Sequence, residues 1–110
     1  MSLKIIQDAI TQRRTIIFEY NKPEKVRDKR IGNNSHAAFV MHLRDGSKST
    51  KVHIFQTGGV SDSSQNLPDF RMFDLADITN IIFSEDSQAI EISSKYNSNW
   101  DGYKDAITKI

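Results

Sequence analysis

Residues 55–64 read FQTGGVSDSS, and residues 68–75 read PDFRMFDL. An apolar strand end leads into a double glycine and a run of small polar side chains, after which a short strand carries one arginine between two phenylalanines. Glycine tolerates positive φ angles, so Gly58 and Gly59 allow a sharp turn that leaves N–H groups facing outward. The stretch predicts two strands joined by a loop, which either cradles a phosphate-sized anion or is a plain long hairpin.

The segment before this loop predicts one helix and several short strands. Over residues 3–14 the apolar side chains fall on one arc of a helical projection and the polar ones on the opposite arc, which is typical of an amphipathic helix. Residues 15–20, TIIFEY, are β-branched and aromatic and predict a strand. A turn at 21–25, a charged strand at 26–31 and a further turn at the polar run GNNS, residues 32–35, are expected next.

A β-hairpin is predicted where Asp45-Gly46 separates two apolar segments, residues 39–43 and 51–56. A two-residue turn would pair Phe39 with Val52, whereas a looser loop through residues 47–49 shifts this register, and the sequence leaves both open. His42 and His53 approach each other in some registers. Two histidines without a third ligand make a poor metal site, so we expect neither a metal nor another cofactor.

The expected fold is mainly β with flanking helices, of the α+β class, in a single domain over residues 1–110. A helix at 3–14 precedes a small, strongly bent antiparallel sheet of five or six strands over 15–83, which can close as a barrel, and a tail follows over 84–110. In the tail, Trp100, Tyr103, Ile107 and Ile110 recur at helical spacing and predict a short C-terminal helix. Its aromatic residues either dock the tail onto the core or form an exposed stacking surface, and docking is favoured.

Composition limits the classes of function. The 110 residues include no cysteine, which excludes disulfides, thiolate metal sites and a cysteine nucleophile. No apolar run reaches the roughly 20 residues that span a bilayer, so we expect a cytoplasmic protein without a membrane partner. Walker, Gly-x-Ser-x-Gly and His-Glu-x-x-His motifs are absent from the sequence, so we expect a binding module and not an enzyme.

Charge is distributed unevenly along the chain. Residues 13–30 hold seven basic side chains against three acidic ones, whereas residues 74–105 hold seven acidic side chains against two lysines. This pattern indicates either a modest site for an anionic ligand or a solvated rim of mixed charge. The mixed rim is favoured on charge alone, because a dedicated DNA-binding domain is usually far more basic.

Two segments resemble the WYL domains of bacterial and phage proteins. In residues 6–20, IQDAITQRRTIIFEY, a helix with an alanine-isoleucine pair leads into a strand that ends in tyrosine, and residues 70–78, FRMFDLADI, follow the pattern Arg-x-Phe-x-Leu-x-x-Ile. The match is closer to a short standalone branch, with Gln56-x-Gly58-Gly59-x-Ser61 before the arginine strand and a Tyr96-Asn97 turn after it. The tryptophan-tyrosine-leucine signature itself is missing, and Phe70 stands where that branch usually has tryptophan.

The resemblance implies an Sm-like small β-barrel preceded by a helix. It also implies a regulatory domain that senses a nucleotide or a short single-stranded nucleic acid, often near phage-defence systems. The residues expected to bind this ligand are Arg71, Gln56, Gly58, Gly59, Ser61, Ser63 and Phe73.

The chemistry expected of this site follows from the residue types. Arg71 would offer a bidentate fork to a phosphate or carboxylate, the three polar side chains would bind ribose or base edges, and the glycine N–H groups would form an anion-binding concavity. Strand alternation places Arg71 beside Phe73, so a base could stack there. Alternatively, Arg71 pairs with a nearby aspartate, and Phe70 and Phe73 both belong to the core.

A second class of function is assembly. Sm-like barrels often associate edge to edge, and open strand edges favour pairing with another copy, so a homo-oligomer through the sheet edges is the alternative expectation. The alternating charges of residues 26–31 argue against an apolar edge at that strand.

Overall fold

A computed structural model of the protein describes residues 2–20, 29–59, 69–84 and 92–110. Within these ranges one helix precedes six strands, and two short 3₁₀ turns lie among the strands. The elements are α1 (Ser2–Gln12), β1 (Ile16–Tyr20), β2 (Lys29–His42), β3 (Lys48–Gly59), β4 (Asp69–Asp74), a first 3₁₀ turn (Leu75–Asp77), β5 (Ile78–Phe83), a second 3₁₀ turn (Asp101–Asp105) and β6 (Ala106–Lys109).

The strands are antiparallel neighbours in the order β4-β3-β2-β1-β5. β3 pairs with one side of β2, from Arg30 to His42, whereas β1 and β6 share its other side. No ladder joins β4 to β5 in the described residues, so the sheet is open at these two strands. The mainly β class with an N-terminal helix is confirmed, and the expected closure into a barrel is wrong.

β2 is longer than the sequence suggests. The polar run at residues 32–35 lies inside the strand, so the turn predicted there is wrong. Asn34 stays in the sheet because its Nδ2 donates a hydrogen bond of 2.9 Å to the carbonyl of Phe55 on β3. The ladder instead shifts register between Ser35 and Ala37, so β2 carries one extra residue at His36. The part of the predicted charged strand before residue 29 lies outside the described residues.

The predicted hairpin is present as β2 and β3. Phe39 pairs with Lys51, so the register is shifted by one residue from that of a two-residue turn. A five-residue loop, 43–47, makes the connection, and Gly46 within it has a φ of +89°, which glycine adopts without steric cost. In this register His42 lies opposite Lys48 and His53 lies opposite Ala37, so the two histidines are not cross-strand neighbours.

Each face of the β2–β3–β4 region packs into a separate core. The inner face, which carries Val52, Ile54 and Phe73, packs against α1 and β1. We call this the first core; its buried residues are Ile6, Ala9, Ile10, Ile16, Phe18, Tyr20, Ala38, Val52, Ile54, Phe73 and Ile78. The outer face, which carries Phe39 and His53, packs against residues of the C-terminal segment. We call this the second core; its buried residues are Ala37, Phe39 and Tyr103, and Met41, Tyr96 and Ala106 pack against them.

The C-terminal segment differs from its prediction. Residues 101–105 form a 3₁₀ turn and residues 106–109 form β6, so the predicted C-terminal helix is wrong. The turn predicted at Tyr96-Asn97 is confirmed, because the N–H of Trp100 donates to the carbonyl of Asn97 at 3.1 Å. β6 pairs with β2 between Ala37 and Phe39 and thereby holds this segment against the sheet. None of the helices among the described residues has the length and apolar character needed to cross a membrane.

α1 ends at Gln12, earlier than predicted, and Arg13 follows it with a φ of +55°. The N–H of Arg13 donates to the carbonyl of Ile10 at 3.3 Å, and the N–H of Arg14 donates to that of Ala9 at 3.0 Å. These two bonds form a Schellman motif, in which glycine usually occupies the left-handed position. Here an arginine occupies it, at a steric cost that glycine would not have.

We therefore expect Arg13→Gly to raise the free energy of unfolding by about 1 kcal/mol, measured by urea denaturation followed by circular dichroism. Arg14→Gly is the matched control. Arg14 does not have a positive φ, and its guanidinium carbon lies 4.1 Å from the centroid of the Phe83 ring, so its replacement should lower stability. Equal effects of the two substitutions would contradict this account of the helix end.

Candidate functional site

The strand register brings two polar residues of the predicted site to the inner face. Arg71 on β4 lies opposite Ile54 on β3, and Gln56 follows two positions later on the same face. Arg71 is half-buried, whereas the Gln56 side chain is fully buried and its Nε2 donates a hydrogen bond of 2.8 Å to the carbonyl of Gly58. The Gln56 side chain therefore stabilises the backbone at the end of β3, and Arg71 is the more exposed of the two residues.

A third polar residue on this face was not predicted. Ser35 on β2 lies opposite Ile54, so Ser35, Ile54 and Arg71 form one row across three strands. The Ser35 hydroxyl is buried and has no hydrogen-bond partner among the described residues. Most buried hydroxyl groups in proteins have a hydrogen-bond partner, so Ser35 is unusual in this respect. Together with Arg71 it makes this end of the inner face more polar than the apolar centre. Sequence reasoning missed Ser35 because the predicted turn covered it.

Three other predicted site residues are placed differently from expectation. Phe73 is 2% exposed and meets the rings of Phe18 and Tyr20 edge-on, with centroids 5.2 and 5.0 Å apart, so no base can stack on it. Gly58 and Gly59 continue β3 opposite Ile31 and Arg30, so the sharp turn predicted at the double glycine is wrong. Ser61 and Ser63 lie outside the described residues.

Aromatic rings cluster on the outer face. The His53 ring contacts the rings of Phe39, Trp100 and Tyr103 at centroid distances of 4.9 to 5.6 Å, and it contacts the Phe70 ring at 5.1 Å. We call this group the aromatic cluster: Phe39, His53, Phe70, Tyr96, Trp100 and Tyr103. Docking of the C-terminal aromatic residues onto the core is thus confirmed for Tyr103, which is 6% exposed.

A hydrogen bond between His53 and Tyr103 lies within the aromatic cluster. The Tyr103 hydroxyl and His53 Nδ1 are 2.6 Å apart. Burial, with a smaller contribution from Tyr96, raises the pKa of Tyr103 above its usual value, so its hydroxyl is protonated at neutral pH and donates to Nδ1. Burial, together with the nearby His36, lowers the pKa of His53 to about 4, so the imidazole is neutral there.

His36 holds the C-terminal segment from the other end. The N–H of Ser93 donates to His36 Nε2 at 2.9 Å, and His36 Nδ1 therefore carries the ring proton and donates to the Asn34 carbonyl at 2.7 Å. The ring is fully buried, and this burial lowers its pKa, with a further contribution from Arg13. Both nitrogens of His36 are thus occupied by structural hydrogen bonds.

A groove of about 470 Å³ lies beside the aromatic cluster. It is lined by residues 98–101 together with Tyr103, Lys104 and Lys109. Trp100 is 42% exposed, so the tryptophan both contacts the core and faces this groove. The sequence offered exposure of Trp100 as one alternative, but it did not indicate that two lysines lie nearby. Lys109 reaches the groove because β6 runs back along β2.

The structure shows no metal centre in the part of the chain that it describes, where no three His, Asp or Glu side chains are grouped as ligands. Comparison with protein families, with curated proteins and with solved structures finds no match for this chain. The functional argument therefore depends on the residues themselves.

The lowered pKa of His53 predicts a pH dependence of stability. In the unfolded chain this group has its ordinary pKa of 6.5, so between 6.5 and about 4 the unfolded state binds more protons than the folded state. The contribution of His53 to the free energy of unfolding is complete above pH 6.5 and is lost as the pH falls toward about 4. Urea denaturation from about pH 7 to about pH 4 should show this loss.

Two variants isolate the contribution of His53. His53→Gln keeps a hydrogen-bond acceptor but does not titrate, so its stability should fall less with decreasing pH than that of the wild type. Tyr103→Phe removes the hydroxyl but leaves His53 buried, so it should lose about 1 kcal/mol at neutral pH and keep the pH dependence. The same pH dependence in both variants would contradict the role of His53.

Proposed function

We propose that the protein is a cytoplasmic, non-catalytic module that binds a nucleotide or a short single-stranded nucleic acid at the Arg71 end of the inner face. Arg71 supports this proposal most strongly, because it is charged and only half-buried where it lies opposite Ile54 on the inner face. A guanidinium fork matches the oxygens of a phosphate.

All but one of the remaining predicted residues take supporting roles in this proposal. Gln56 fixes the Gly58 carbonyl and with it the strand that leads into residues 60–68. Ser61 and Ser63 belong to that segment and stay predicted ligand contacts, as do the backbone N–H groups of Gly58 and Gly59. Phe73 has no part in the proposed site, because its ring is enclosed by the first core.

The fold also supports the proposed relation to WYL domains. A helix precedes a five-strand path whose end strands, β4 and β5, are joined by a 3₁₀ turn at residues 75–77. We propose that this arrangement is an open variant of the Sm-like fold and that the module acts in bacterial or phage regulation or defence. The proposal includes no catalytic step, because each histidine already has a hydrogen-bond partner within the chain. His36 bonds to Asn34 and Ser93, His42 bonds to Asp105, and His53 bonds to Tyr103.

Substitution of Arg71 tests the proposed site. Arg71→Gln should weaken binding of fluorescein-labelled hexathymidylate and of ATP at least tenfold, because a charge-assisted hydrogen bond is lost. Fluorescence anisotropy measures the first ligand and calorimetry the second. Arg44→Gln, in the exposed hairpin loop, removes the same charge away from the inner face and should change either affinity by no more than about twofold.

The outcome is decided by comparing the two arginine variants. Circular dichroism and urea denaturation establish that Arg71→Gln is folded before its affinity is interpreted. Equal affinities of folded Arg71→Gln and of Arg44→Gln for both ligands would remove Arg71 from the site and overturn the proposed function.

Assembly of identical copies is the second candidate function. In the described residues β4 and β5 each pair on one side only, and each exposes a large apolar side chain, Met72 at 46% and Ile82 at 57%. Unpaired strand edges with apolar residues favour pairing with another copy. An antiparallel or parallel junction between such edges would continue the sheet from one protomer to the next.

Sedimentation velocity at increasing protein concentration tests this alternative. The wild type should form oligomers, and Met72→Lys or Ile82→Lys should shift it toward monomer, because a charge on the edge strand opposes pairing. Leu43→Lys, in the hairpin loop, is the matched control, since Leu43 is 40% exposed but lies on neither edge strand. A wild-type protein that stays monomeric throughout would exclude assembly as its function.

A further inference from the structure

The groove on the outer face combines an aromatic side chain with two cations. Trp100 contributes the exposed ring, and Lys104 and Lys109 line the same groove. Asp101 is the one carboxylate among the groove residues, so their charges sum to +1. This surface lies on the face opposite to Arg71, and it does not depend on the function proposed for the inner face.

The Trp100 ring is held in place before any ligand arrives. A β-carbon at Gly102 would lie 2.2 Å from Cζ3 of Trp100, so the indole occupies space that only glycine leaves open. The same ring lies nearly perpendicular to the rings of Phe39 and Tyr103, at interplanar angles of 88° and 87°. An aromatic side chain fixed in this way loses little conformational entropy when a ligand stacks on it.

The two lysines supply positive charge at the groove. Lys109 Nζ donates a hydrogen bond of 2.8 Å to the carbonyl of Ser98, which places this ammonium group across the groove from its own strand. Lys104 is exposed and makes no ion pair with any described residue, so its charge is available to an anion. Both lysines thus line the groove that a ligand in contact with Trp100 would occupy.

We propose that this groove is a second binding site, which takes a nucleoside phosphate with its base stacked on Trp100 and its phosphate held by Lys104 and Lys109. A flat base is recognised by stacking regardless of its sequence identity, and the lysines favour a ligand that also carries negative charge. The groove volume of about 470 Å³ falls within the range of small-ligand sites. The ligand is either a free nucleotide or one unit of a single strand.

Trp100 is the only tryptophan in the chain, so its fluorescence reports directly on the groove. Titration with ATP or with hexathymidylate should quench this fluorescence to saturation, and adenosine should quench it with a weaker affinity. Tighter binding of ATP identifies a free nucleotide as the source of the ligand, whereas tighter binding of hexathymidylate identifies a single strand. The absence of saturable quenching by both phosphate ligands would overturn the proposal.

Lysine variants test the phosphate contact. Lys104→Gln and Lys109→Gln should each raise the dissociation constant for ATP about two- to fivefold and leave that for adenosine unchanged. Lys48→Gln, an exposed lysine at the start of β3, is the matched control and should behave as the wild type. If the dissociation constants of the two groove variants for ATP equal that of Lys48→Gln, the lysines do not hold the phosphate and the proposal is wrong.

Two further variants separate this site from the inner face and from folding. Gly102→Ala should move the indole, shift its emission and weaken binding at least fivefold, because a stacking surface is lost. Arg71→Gln should leave the quenching titration unchanged, even if it abolishes binding at the inner face. Loss of quenching in folded Arg71→Gln would show that the groove is not an independent site. If quenching and the affinity at the inner face are both unchanged in this variant, only the function proposed for Arg71 is refuted.

Discussion

The imidazole of His36 connects the two halves of the structure. Within β2 it donates to the Asn34 carbonyl, and across the chain it accepts from the N–H of Ser93. The carbonyl of His36 also accepts from the N–H of Ile110 at 2.9 Å, so this one residue binds both ends of the C-terminal segment. Because a buried polar group that loses its partner costs about 1–3 kcal/mol, the position of the second core depends on these bonds staying intact.

Regular patterns in the sequence predicted α1, β1 and the β2–β3 hairpin, because hydrophobic periodicity reports directly on a face that is buried. The same reasoning failed at residues 32–35, where polar side chains indicate a turn although Asn34 bonds to Phe55, a partner 21 positions away. It failed again after Trp100, since apolar spacings of three and four fit a helix as well as a 3₁₀ turn followed by a strand. The residue types of a segment indicate which local structures it can adopt, and pairing with distant segments determines which of these structures forms.

The candidate sites were likewise predictable from the sequence only in part. Alternation along β4 correctly placed Arg71 and Phe73 on one face, but the sequence alone does not show that this face covers the first core. The groove beside Trp100 depends on β6 returning along β2, which brings Lys109 close to the carbonyl of Ser98. Lys104 and Lys109 have no distinctive spacing in the chain, so their common location becomes evident only in three dimensions.

The sharing of β2 by β3, β1 and β6 has a consequence for the order of folding. The β2–β3 pairing closes through a loop of five residues, 43–47, and a hairpin of this kind forms within about 1–10 μs. The pairs Ile16 with Phe83 and Ala37 with Lys109 join positions much farther apart in the chain, and their closure has a larger entropic barrier. The hairpin is thus the natural nucleus, onto which the N-terminal and C-terminal segments condense later from opposite ends of the chain.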